Sequence, residues 1–144
     1  MSVKQISIFL ENKTGRLDEM TDILGKNNIN MRAVSLAETD GFGIVRIIVD
    51  DPYSATTVLK DAGYINRLTS VVIVEVPNTP GGLNKVLKVF TEASINLEYI
   101  YALSAGKEPQ KAYMIFRVSD HKTAEVALER AGIRVLTQED IAEL

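Results

Sequence analysis

The chain has 144 residues, 46% of them hydrophobic, with 16 Lys and Arg against 19 Asp and Glu and a formal net charge of −3. This supports a packed core and excludes a disordered chain, and an acidic balance with both signs interspersed argues against a general phosphate-backbone binder. Cysteine is absent and His121 is the single histidine, so neither a disulfide framework nor a multi-histidine metal site is expected.

The opening MSVKQISIFLEN mixes charged and polar residues with apolar ones. It lacks the long apolar segment of a signal peptide or membrane span, which gives the expectation of a cytoplasmic protein with no membrane partner. Val3–Leu10 alternates Ile6, Ile8 and Leu10 with polar positions and reads as a strand. A helix follows from about Gly15 to Lys26, where Leu17, Met20, Ile23 and Leu24 recur at helical spacing. Two strands, Asn30–Ala37 and Phe42–Val49, flank the hairpin signal Asp40-Gly41. A second helix begins after Asp51-Pro52 and ends at Gly63, with proline near its start and glycine just past its end. A last strand, Ile65–Thr69, runs almost directly into Val71–Val76, and there the order begins again.

Sliding the chain against itself shows why. At an offset of 66, Asn12, Gly15, Leu17, Ile29 and Asn30 fall on Asn78, Gly81, Leu83, Ile95 and Asn96; at 69, Val49, Asp51, Ala55, Leu59, Ala62 and Gly63 fall on Val118, Asp120, Ala124, Leu128, Ala131 and Gly132. The three extra residues of the second copy fall at the hairpin tip, where the first copy has TDGFG and the second AGKEPQK, a place that tolerates insertion. The expected fold class is therefore α+β, with two ferredoxin-like βαββαβ units, residues 1–69 and 70–144, packed side by side as antiparallel sheets. No flexible linker separates them, and a unit of this size gains stability from a neighbour. Thr137, followed three residues later by Asp140, suggests a short capped closing helix.

Enzyme templates fail: there is no HExxH, GxSxG or GxxxxGK[ST], and His121 stands where the other copy has Pro52, which reads as an exposed helix start. No carboxylate pair is marked out by spacing. Neither a catalytic residue, a metal site nor a cofactor is expected. An RNA-binding sheet would need a basic-aromatic pattern that does not accompany Phe9 and Phe42, and an acylphosphatase-like loop would need an arginine where the copies carry Arg16 and Gly82.

The best-repeated segments are the strand-to-helix connections, Glu11-Asn12-Lys13-Thr14-Gly15-Arg16-Leu17 and Pro77-Asn78-Thr79-Pro80-Gly81-Gly82-Leu83, both N-x-[TP]-G-x-L. A glycine before a helix start, with its unpaired N–H groups, makes a carboxylate-sized anion site; plain capping by Asn12 or Thr14 accounts for the same residues. Asn30 and Asn96 open the second strand of each copy. With strand order 4-1-3-2 they start at the end opposite their own loop, so within one copy they cannot meet it. Antiparallel pairing of the two edge strands would bring Asn12 to Asn96 and Asn78 to Asn30, an arrangement suited to a zwitterionic amino acid. Ordinary turn roles account for the asparagines singly.

The patterns ENxTGxL … NINM and PNTPGGL … SINL resemble the ACT domain, a regulatory amino-acid-binding module, over nearly the whole chain, twice. The resemblance implies an effector held between two modules by the loop of one and the second strand of the other: Asn12, Thr14 and Gly15 with Asn96, and Asn78, Pro80 and Gly81 with Asn30. Thr14 departs from the usual proline. The expected function is a stand-alone regulatory module that binds a free amino acid between its two units, without catalysis and without nucleic acid. It would act through a regulated partner protein or a homodimer. The alternative is an oligomerisation scaffold that binds no ligand.

Overall fold

The computed structural model describes residues 2–104 and 107–144, with the Thr39 side chain left aside. Ala105 and Gly106, part of the expected insertion at the second hairpin tip, lie outside the described residues. By contact the chain divides into two compact units: a first, Lys4–Thr69, and a second, Ser70–Leu144 together with Ser2 and Val3.

In the first unit the chain runs β1 (Val3–Glu11), α1 (Arg16–Lys26), β2 (Met31–Thr39), β3 (Phe42–Val49), α2 (Pro52–Asp61) and the beginning of β4 (Ile65–Pro77). The second continues with the rest of β4, then α3 (Gly82–Glu92), β5 (Leu97–Ala102), β6 (Lys111–Val118), α4 (His121–Arg130) and α5 (Gln138–Glu143). The βαββαβ order expected from the repeat is present in both. One difference is β4: the two strands expected at Ile65–Thr69 and Val71–Val76 form one strand of 13 residues. No glycine or proline interrupts Ile65–Val76, and Val71–Val74 are all buried, so nothing in the chain breaks the extended run.

Strand order in the first unit is β2-β3-β1-β4, and in the second β4-β6-β5. β1 and β2 both pair antiparallel with β3, as β4 and β5 do with β6. The place of a fourth strand in the second unit is taken by a single bridge, Val135 to Val74. β2 and β5 each have one sheet neighbour, which makes them the edge strands of their units.

Alternation places Ile6, Ile8, Leu10, Val45, Ile47 and Val49 on the face that receives Met20 and Leu24 of α1 and Ala55 and Leu59 of α2. The second core repeats this position by position, with Val72, Val74, Val76, Phe116, Val118, Val86, Phe90, Ala124 and Leu128. Phe90 and Phe116 stand where the first core has Leu24 and Ile47, and they meet edge to face at 5.1 Å. A side chain of this kind contributes about 1.5–3 kcal/mol when fully buried.

Helix ends follow local chemistry. Asp51 and Asp120 cap α2 and α4 by accepting from Ser54 N and Thr123 N, and Pro52 fills the first position of α2. Thr137 and Asp140 form a full capping box on α5. His121 opens α4 as expected but is half-buried rather than exposed.

Candidate functional site

Both strand-to-helix loops make the same backbone hydrogen bonds. Lys13 N donates to Glu11 O and Arg16 N to Lys13 O; sixty-six residues on, Thr79 N donates to Pro77 O and Gly82 N to Thr79 O. Gly15 (φ 87°, ψ −9°) and Gly81 (φ 83°, ψ −3°) take the left-handed conformation that the third residue of a type II turn requires. Thr14 and Pro80 occupy the position before it, where proline is preorganised. The pattern N-x-[TP]-G is therefore a turn specification. A Cβ at either glycine would meet no atom within 4 Å, so backbone conformation rather than crowding demands the residue.

Capping by Asn12 or Thr14 is not observed: Gly15 and Gly81 hold the cap positions of α1 and α3, with no side-chain cap hydrogen bond. Among the described residues, the N–H groups of Leu17 and Asp18, and of Leu83 and Asn84, have no protein acceptor. Each loop thus presents two free donors at the positive end of a helix of 11 residues.

The asparagines differ between copies. Asn78 N donates to Gln110 O at 2.8 Å and its Nδ2 to Pro109 O at 3.0 Å, which ties the loop to the connection before β6 and leaves Oδ1 to accept. Asn12 N donates to Gly41 O at 3.1 Å, but its side chain makes no hydrogen bond among the described residues. Charge differs as well. Glu11 pairs with Lys13 at 2.9 Å and Arg16 at 3.9 Å; the Lys13 hydrogen bond, reinforced by the charges of Lys13 and Arg16, holds its carboxyl below the usual range. The second loop has Pro77 and Gly82 in place of Glu11 and Arg16.

Asn30 and Asn96 are exposed and stand just ahead of β2 and β5. Each follows a helix closed by a left-handed residue, Asn28 (φ 57°) or Ser94 (φ 55°), with Ile29 N donating to Leu24 O and Ile95 N to Phe90 O. Asn96 N donates to Ser119 Oγ and its carbonyl accepts from Ser119 N. Directly beyond, both strands shift register, between Met31 and Ala33 and between Leu97 and Tyr99. The residues at these shifts are salt-bridged, Arg32 to Asp50 at 2.8 Å and Glu98 to Arg117 at 3.7 Å. Such bulges re-aim side chains at a strand start.

Within the first unit, Asn12, Thr14 and Gly15 lie together at the end of β1 beside the hairpin tip, while Asn30 lies at the other end of β2. The second unit repeats this separation, with Asn78, Pro80 and Gly81 at one end and Asn96 at the other. The sequence had not singled out Pro109 and Gln110; at the offset of 69 they stand where the first hairpin has Asp40 and Gly41, and Gln110 O accepts from Asn78 N as Gly41 O accepts from Asn12 N. Among the described residues no cluster of His, Asp and Glu could hold a metal ion, and no helix is long and apolar enough to cross a membrane.

Two βαββαβ units, each with an uncapped glycine turn at the end of its first strand, define a tandem ferredoxin-like module. The chain matches the model of the ACT domain pair over residues 1–144 and belongs to that family, whose members are regulatory modules. It is similar to the crystal structure of protein BT0572 from Bacteroides thetaiotaomicron, at 39% identity over 100% of this chain and 98% of that one, with a TM-score of 0.92. The fold is shared with the ligand-free regulatory subunit of aspartate kinase from Thermus thermophilus, at 15% identity, 92% of each chain and a TM-score of 0.68. The corresponding subunit from Thermus flavus matches at 14% identity over 91% of this chain and 93% of that one, with a TM-score of 0.62. The comparison with curated proteins gives no match.

Proposed function

We propose that this ACT domain pair senses a free amino acid, held between the strand-to-helix loop of one unit and the edge-strand start of another. The residues are Asn12, Thr14 and Gly15 with Asn96, and Asn78, Pro80 and Gly81 with Asn30. The observation that carries the reading is the twice-built type II turn at an uncapped helix start, where two N–H groups in each loop have no protein acceptor among the described residues and stand ready for an anion. A ligand carboxylate takes the paired N–H groups, and the ammonium meets asparagine Oδ1 acceptors. The similarity in fold to regulatory subunits of aspartate kinase supports a regulatory output through a partner protein.

The test is thermal unfolding in the presence of each proteinogenic amino acid. One or a few ligands should raise the midpoint, by the equivalent of about 2.7 kcal/mol at a hundredfold excess over Kd, and Asn78→Ala with Asn96→Ala should abolish the rise. Twenty flat responses would end this reading.

A second reading, a scaffold for assembly, has its own support. β2 is an edge strand carrying Val34 at 51% and Leu36 at 54% exposure. Open edges with apolar side chains favour strand addition from another chain. Under this reading the asparagine changes alter stability and nothing else.

A further inference from the structure

From the second unit alone, and independently of the amino-acid reading, we infer that a cavity beside α3 is a binding site for a small monocarboxylate with an apolar body. The cavity, of ≈ 440 Å³, falls in the size range of small-molecule sites, roughly 300–1,000 Å³. Its apolar wall is Pro77, Val86 and Ile133, and its rim carries Lys85, Lys111 and Arg134 with Glu75.

Gly82 lines it and lets the start of α3 lie close against the Pro77 carbonyl. This glycine is buried, and a Cβ there would stand 2.1 Å from Pro77 O. The first unit places Arg16 at this position and Glu19 where the second has Lys85; those two are paired with each other at 3.3 Å. The first unit's side chains thus satisfy one another where the second unit has a hollow and a lone cation.

The rim charges divide unequally. Glu75 accepts from Lys111 at 3.2 Å and Arg134 at 3.3 Å, and these two cations also reach Glu108 and Asp140. Lys85 has no ion-pair partner among the described residues. One uncommitted ammonium beside an apolar wall matches one acidic group on an apolar body. A second acid would meet Glu75, and a ligand ammonium would meet Lys85. The ligand is therefore a monoanion, and zwitterions are disfavoured.

The experiment is a titration of the full chain with phenylacetate, followed by backbone amide correlation spectra, with 2-phenylethanol and phenylalanine as controls. Saturable shifts centred on Gly82, Val86, Gly132 and Ile133 are expected, with weaker effects from both controls. Lys85→Glu should weaken phenylacetate binding by about tenfold or more, equal to 1.4 kcal/mol. Lys85→Arg should retain it, and so should Asn30→Ala, which separates this cavity from the proposed amino-acid site at the neighbouring Asn78 loop. Shifts that do not saturate, that centre elsewhere, or that ignore the charge at position 85 would overturn the assignment. A flat amino-acid screen would leave it standing.

Discussion

Three single positions carry more of this molecule's behaviour than their size suggests. Thr14 stands where the same turn in the second copy has Pro80, and its N–H donates to no group among the described residues. Thr14→Pro should therefore raise the urea-unfolding midpoint, by about 0.4–1 kcal/mol, because it removes unfolded-state freedom without removing a bond. Gly82→Ala should do the opposite, costing about 1–3 kcal/mol, since the backbone carbonyl of Pro77 cannot yield as a flexible side chain would. Asp140 has its carboxyl held below the ordinary range, first by the backbone N–H of Thr137 and further by the Thr137 hydroxyl and Arg134. A depressed folded-state pKa means that this stabilisation of α5 is complete above the ordinary aspartate range. It is lost as pH falls through the folded value. Asp140→Asn should flatten the acid limb of the stability profile, read by circular dichroism against pH.

At the level of elements, the caps show which parts of the fold can be read directly from residue order. Asp51-Pro52 and Asp120 announce α2 and α4, and Asp51→Ala should lower stability by about 1 kcal/mol in chemical denaturation. The repeat offsets carried both cores, because Ile6, Ile8 and Leu10 and their counterparts Val72, Val74 and Val76 keep the period of a half-buried strand. The loops were legible as repeated, but their role as type II turns was not. A glycine ahead of a helix fits either a turn or a cap until the conformation at Gly15 and Gly81 is known. Asn78's hold on Pro109 spans 31 residues, and no local pattern announces a bond of that range. The joining of two strands into β4 was hidden for a different reason. Duplication suggested a boundary at Thr69-Ser70, yet no glycine or proline stands there to break the strand.

For the whole molecule, duplication has left two units with one backbone plan and different surfaces. The first loop is charged and its asparagine side chain makes no hydrogen bond among the described residues; the second is neutral and braced through the Asn78 side chain. A braced loop loses less entropy on binding, so the Asn78 site should fill before the Asn12 site, with Asn78→Ala weakening the first calorimetric phase more than Asn12→Ala does. The open edge of β2 gives an assembly prediction. Replacing Val34 and Leu36 together by lysine should lower self-association in sedimentation, with unchanged circular dichroism, because both side chains are already half exposed. The hairpin tip beside the first loop has a consequence of another kind, one of time. Asp40 and Gly41 are exposed and adopt left-handed backbone, and the glycine at the second position leaves Asp40's carboxyl open to attack by the following amide nitrogen. That attack expels water to form a succinimide, whose hydrolysis gives mainly isoaspartate and so inserts a methylene into the main chain. Because Gly41 O is the acceptor for Asn12 N, stored protein should age first where its first loop is anchored.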